Sequence, residues 1–225
     1  YVQVPHDNAL NGSSALTYTA WIYPHSWDGT RQVFSKSVHG GGSGRVQMGL
    51  FSNGGVLVGR AETVNGRKDM SASLPTLNAW SHIALRFEGN ALKIFINGIL
   101  AGQSTFSTTT LKQNSDPFNI SKRVGSSHYY FNGLIDEITV WNRVLSESEI
   151  LTMMNNGLCD DESGLQAYYN FNQGSGTTLH DQSENGFNGT IYGATWNSDG
   201  LNFSISGCTD DNACNYNSEA NEDDG

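Results

Sequence analysis

Positive charge is what this chain lacks most. It has 12 Lys and Arg against 22 Asp and Glu, a formal net charge of −10. Nucleic-acid binding relies on clustered cations that displace counterions from phosphates, so this balance argues against it. The balance suits a soluble protein in a salty medium, or one that collects divalent cations. Long apolar runs are also missing. None approaches the roughly 20 residues of a membrane helix, so no membrane insertion is expected. Proline is sparse, at 4 in 225 residues. No signal peptide is present and Tyr1 is not a natural start, so the chain reads as an excised fragment or a mature form. Cysteine is limited to Cys159, Cys208 and Cys214. An odd count in an extracellular protein usually means that one partner lies outside the sequence in hand.

Familiar catalytic patterns are missing as well. "HGGGSG" at 39–44 is like the oxyanion loop of esterases. No G-x-S-x-G elbow accompanies it, and it reads as a flexible hairpin loop. The histidines are scattered, with no H-E-x-x-H and no close pair for zinc. His82 sits within a strand and reads as a hydrogen-bonded structural residue. The chain therefore reads as non-enzymatic. A lyase using Tyr, His and Arg would leave too little pattern to detect.

What is present is glycine, asparagine, serine and aromatic residues, with Gly at 26 and aromatics at 11%. Short β-rich segments alternate with turn signals along residues 1–141. "ALTYTAWIYP" (15–24), "RQVFSK" (31–36), "RVQMGLFS" (45–52) and "GVLVGRAE" (55–62) follow at short intervals. "NGG" at 53–55 marks a hairpin. "AWSHIALRFEGNALKIFINGILAG" (79–102) is the clearest pair: Ser81, Ile83, Leu85 and Phe87 alternate against Trp80, His82, Ala84 and Arg86. "EGN" turns the chain, and "NG" at 97–98 turns it again. Many short strands with Gly and Asn turns imply an all-β antiparallel sandwich. One short helix is expected in "LSESEILTMMNNG" (145–157), capped by Ser146, supported by Glu149 and ended by Gly157. "GLQAYYNFN" (164–172) and "IYGATW" (191–196) read as strands around a long turn-rich loop. From 207 the apolar periodicity disappears.

"YTAWIYP", "WSHIALRFEGNALKIFINGILAG" and "FNGLIDEITVWNRVLSESEI" together resemble the laminin-G-like jelly-roll domains of the concanavalin-A-like lectin/glucanase group. The "GLQAYYNFN…ATW" stretch is similar to a companion segment that usually stands before the core strands. Here it follows them, as in a circular permutation. The resemblance implies a sandwich over 1–206, with 165–200 supplying late or edge strands, and an incomplete acidic linker or repeat over 207–225. The tail "GCTDDNACNYNSEANEDDG" resembles a Cys-containing repeat of large secreted proteins from marine Bacteroidetes-type bacteria. That likeness implies a secreted or cell-surface protein with covalently linked neighbouring domains. It also implies a Cys159–Cys208 disulfide, with Cys214 paired to a cysteine further on.

In such domains the acid in the closing strand often helps hold a structural calcium, which makes Asp136 the first metal candidate. The alternative is that Asp136 caps a bulge or accepts backbone N–H bonds; Glu137 is expected to face solvent. Strand alternation places Asp136 on one face with Leu134, Ile138 and Val140. "DQSENG" (181–186) offers Asp181 and Asn185 as a second oxygen-rich set, beside Ser183 and Gly186. Tyr192 stands where an EF-hand needs Glu, so an Asx-turn is the competing reading. The tail acids can bind calcium weakly or act as a solvated linker. Sandwich glucanases carry E-x-D-x-x-E on one strand, and no such pattern is present.

The function this implies is a non-catalytic carbohydrate-binding or adhesion module with a polysaccharide or glycan partner. Sugars stack on aromatic faces, and polar side chains pair with their hydroxyls. The ligand candidates are Trp27, His128, Tyr129, Tyr130 and Asn132, with Arg60 and Arg67 for acidic sugars. Against that, Trp27 can plug one end of the sandwich, and one of two adjacent tyrosines normally faces the core. Trp21, Trp80, Trp141 and Trp196 read as strand residues of the core. The rival functions are a structural spacer or protein–protein module, and an accessory domain of a polysaccharide-degrading enzyme.

Overall fold

The structure, a computed structural model, describes residues 1–37, 46–122, 129–158, 163–198 and 201. The 39–44 loop, His128, Cys159, Cys208, Cys214 and the acidic tail lie outside the described residues, so the disulfide expectation does too.

Two antiparallel sheets pack face to face. The strands in chain order are β1 (Val2–Val4), β2 (Leu16–Pro24), β3 (Arg31–Ser37), β4 (Val46–Asn53), β5 (Val56–Thr63), β6 (Gly66–Ser73) and β7 (Ser81–Phe87). They continue with β8 (Ala91–Ile96), β9 (Ile99–Thr105), β10 (Phe118–Ile120), β11 (Gly133–Trp141), β12 (Leu165–Tyr169), β13 (Thr178–Leu179) and β14 (Gly189–Ile191). One sheet runs β13-β14-β1-β10-β3-β4-β5-β6, and the other β12-β11-β2-β7-β8-β9. The chain after the helix thus adds an edge to each sheet.

Alternation explains how the layers close. Ile83, Leu85 and Phe87 of β7 enter the inter-sheet core with Tyr18, Phe34 and Phe118. Ala84 points the other way, into a second cluster with Phe95, Trp141, Leu145 and Ile150. Ile150 belongs to helix α1 (Glu147–Asn156), which covers that outer face. The helix starts as its sequence predicts. Ser146 Oγ accepts from the Glu149 N–H, and Glu149 Oε2 accepts from the Ser146 N–H at 2.6 Å. Gly157 ends it with φ of 75°. Gly59 of β5 marks a close approach of the sheets: a Cβ there would lie 2.6 Å from Leu85 Cδ1.

Three details depart from the sequence reading. Strand β6 is an edge strand whose polar run hides two inward residues, Met70 and Ala72. Strand β14 ends at Ile191 and β7 begins at Ser81, so Trp196 and Trp80 lie in coil rather than in strands. Strand β11 does not alternate evenly, and that irregularity shapes the site.

Candidate ligand-binding site

Pairing of β11 with β2 slips at the two adjacent acids. Asp136 pairs with Trp21, but the next pair is Thr139 with Thr19. Glu137 and Ile138 together therefore oppose Ala20 alone, which is a β-bulge. Glu137 takes φ of +49° to make it, a backbone state unusual for a side-chain-bearing residue. The bulge inverts the alternation, so Ile135 and Ile138 both pack on the inter-sheet core. Asp136 accordingly does not share a face with Ile138. One Asp136 oxygen accepts from the Glu137 N–H at 2.9 Å, the other from the Leu201 N–H at 3.3 Å. Burial pushes the Asp136 carboxyl up to about 6, with both N–H bonds pulling back. Glu137 does not simply face solvent: its Oε2 accepts from the Tyr168 hydroxyl at 2.6 Å. Burial pushes its carboxyl up to about 8; the Tyr168 bond opposes this and the Asp136 charge adds to it.

Asp136 also lines a cavity of about 340 Å³ between the sheet ends. Val2, Ile120 and Ile191 supply wall from the eight-stranded sheet, and Leu134 and Ile135 from β11. Tyr1, Trp80, Phe171 and Trp196 add four aromatic rings, with Asn172, Thr195 and Ser198 among the polar lining. Trp80 is met edge-on by Tyr23 at 5.6 Å. Trp196 is pinned by its indole N–H, which donates to the Gly176 carbonyl at 2.9 Å. Positive φ among the described residues other than Gly occurs at Asn78, Asn97, Ser121, Glu137 and Phe171. Asparagine tolerates this state. The other three lie in the cavity wall or next to it, and such strain concentrates at binding sites.

A tyrosine ladder stands at the cavity rim. Tyr1 stacks on Tyr192 with ring centroids 4.8 Å apart and 17° between planes. On Tyr130 it stacks at 5.9 Å and 20°. Register builds the ladder: Val2 pairs with Ile191, which sets Tyr1 beside Tyr192, and Tyr130 bridges to Gln32 of β3. The Lys122 Nζ sits 3.8 Å from the Tyr1 ring centroid.

The ligand residues named from sequence are dispersed. Tyr130 is in the ladder and is 36% exposed. Tyr129 is adjacent, half-buried, and its carbonyl accepts from the Gln32 N–H. Asn132 is exposed and donates to Ser26 Oγ at 3.1 Å. Trp27 donates its indole N–H to the Pro75 carbonyl at 2.9 Å and packs on Phe131. That is the plugging role. Arg60 makes a two-pronged pair with Asp69 at 2.8 and 2.7 Å. Arg67 lies 3.7 Å from Glu62. Arg60 on β5 is four strand spacings from β1, or roughly 19 Å, so it shares no site with Tyr1. His82 is buried and held neutral, its pKa lowered to about 4 by burial, and its Nδ1 has no hydrogen-bond partner.

The second metal candidate is a turn. Asp181 accepts from the N–H groups of Tyr168, Ser183 and Phe187 and from Ser183 Oγ. Asn185 donates to the carbonyl of Gln166 at 3.1 Å. Among the described residues no three His, Cys, Asp or Glu side chains gather to hold a metal. Donors face both oxygens of Asp136 and of Asp181, a setting that suits capping.

A profile described as the concanavalin A-like lectin/glucanases superfamily, of the laminin G type, matches residues 1–151. No curated protein matches the sequence. Among solved structures, a Bacteroides ovatus protein whose carbohydrate binding is assigned rather than demonstrated aligns at TM-score 0.67 and 20% identity. It covers 84% of this chain, and this chain spans only 55% of its length. The CBM40 of a Ruminococcus gnavus IT-sialidase, bound to α2,3-sialyllactose, aligns at 0.55 with 16% identity, over 68% of this chain and 92% of its own. Domain 4 of a GH43 extracellular arabinanase from Geobacillus stearothermophilus, in complex with arabinotriose, gives 0.52 and 18%, over 68% and 71%. At these identities the likeness is one of fold.

Proposed function

The chain belongs to the concanavalin A-like lectin/glucanase superfamily, and from that premise we propose that it is a non-catalytic carbohydrate-binding module of a larger secreted or cell-surface protein. The observation that carries this reading is the aromatic cavity. Four rings and a buried carboxyl converge on a space of about 340 Å³, within the size range of small-molecule sites. Sugar rings stack on such faces, and their hydroxyls pair with Asp136, Asn172 and Thr195. Similar folds in carbohydrate-binding domains support the reading.

The non-catalytic part rests on the acids. Most glycoside hydrolases use two carboxyls across the scissile bond, about 5–9.5 Å apart. Asp136 is the sole carboxyl among the described cavity-lining residues. Its neighbour Glu137 is engaged by Tyr168. The test is a glycan array followed by a reducing-end assay on every bound polysaccharide. Binding without release of reducing ends is expected. Release of reducing ends, abolished in Asp136→Asn, would overturn the non-catalytic reading. A spacer module would bind nothing.

Calcium at Asp136 is a separate proposal taken from the resemblance. Melting with calcium and then with chelator decides it. A clear loss of melting temperature on chelation is expected; a change of less than about 2 °C would overturn the calcium proposal.

A further inference from the structure

We propose that the tyrosine ladder at the cavity rim, with Lys122, is a subsite for an anionic sugar residue bearing carboxylate or sulfate. The inference rests on the carbohydrate-binding reading and adds the ligand's charge. It starts from a contrast among cations. Arg60, Arg67, Arg86, Lys93 and Arg143 each face a carboxylate within 4 Å. In a chain with net charge −10 such pairing is readily available. Lys68 and Lys122 face aromatic rings instead, and Lys122 is set apart by its place, over a ring of the cavity wall. Among the described residues no carboxylate meets its ammonium, which lies over the Tyr1 ring instead. The ring quadrupole holds the ammonium in place without neutralising it.

The aromatic part supplies the sugar contact. Tyr1 stacks on both Tyr130 and Tyr192, which remain 36% and 45% exposed. Three stacked rings fix one another, so little side-chain freedom is lost when a sugar lies on them. Tyr1 belongs to both the ladder and the cavity wall. A glycan therefore places one residue in the cavity and an adjoining anionic one on the ladder. Acidic-sugar recognition, expected at Arg60 and Arg67, moves along the eight-stranded sheet to Lys122, whose ammonium meets no carboxylate among the described residues.

The test is titration calorimetry with two matched pairs of oligosaccharides: oligogalacturonate with its carboxyl-reduced form, and a sulfated galactan with its desulfated form. One or both anionic probes should bind about ten-fold tighter than the neutral partner in 50 mM salt, and the advantage should shrink in 300 mM salt as screening grows. Lys122→Met keeps the stem over Tyr1 and should remove the advantage while leaving neutral binding intact. Tyr192→Ala should weaken both members of each pair. Lys68→Met is the control, because Lys68 of β6 lies over the Phe106 ring, away from the ladder; it should change nothing. Equal affinity within each pair, or an advantage that survives Lys122→Met in a variant of unchanged melting temperature, overturns the proposal and leaves carbohydrate binding standing. Absence of binding by all four probes and by a glycan array overturns both.

Discussion

Replacing Glu137 by Gln should stabilise the protein at alkaline pH and flatten its pH dependence. The carboxyl sits in a strained bulge, half-buried, beside a second carboxyl. Its pKa in the folded chain is raised from the ordinary 4.5 to about 8. A raised value means that the folded state holds the proton more tightly than the unfolded chain does. The favourable contribution is fully present below about pH 4.5 and is lost as pH rises through about 8. At the usual conversion, about 5 kcal/mol is lost once the group is fully ionised. Water reaching the partly exposed carboxyl reduces this to about 2 kcal/mol. Gln keeps an oxygen to accept from Tyr168 and carries no charge against Asp136. Thermal melts followed by circular dichroism at pH 5 and pH 9 measure the difference. The variant should melt about 4–8 °C above wild type at pH 9 and close to it at pH 5. Parallel pH profiles for the two proteins would refute the reasoning, because the buried acid would then cost nothing.

Two further substitutions test the frame around the site. Gly59→Ala forces a methyl against Leu85 and Ile94 where the sheets meet; chemical denaturation should show a loss of about 1–3 kcal/mol, and a neutral result would mean that the sheets are not in contact there. Ser146→Ala removes the capping bond to the Glu149 N–H; a loss of about 1 kcal/mol is expected, and no loss would show that the helix is held by Ile150 packing alone.

Much of the fold was legible because its strands obey simple alternation. The β7–β8–β9 meander and the capped helix have local signals, a period and a punctuating turn. Strand β6 lacked an apolar signal, yet "NG" at 65–66 predicts the hairpin that pairs it with β5. That turn sets Arg60 opposite Asp69 and Glu62 opposite Arg67. Tracing it in the sequence would have shown both arginines to be paired.

The bulge was not legible. Ile135 and Ile138 are as compatible with even alternation as with its interruption until the register to β2 is known. The site was less legible still. Tyr1, Trp80, Asp136, Phe171 and Trp196 come from five separate stretches of chain. No spacing links them, and only strand order brings them together. Tyr130 was found because it lies in a Gly/Ser loop beside another tyrosine. Tyr192 and Lys122 carried no such mark.

The most direct measurement is the affinity of a bound oligosaccharide for wild type and for Trp196→Ala, by calorimetry, with folding confirmed by circular dichroism. The account predicts one site per chain and a loss of about ten-fold or more when the indole is removed. Unchanged affinity in a folded variant would contradict the cavity as the binding site.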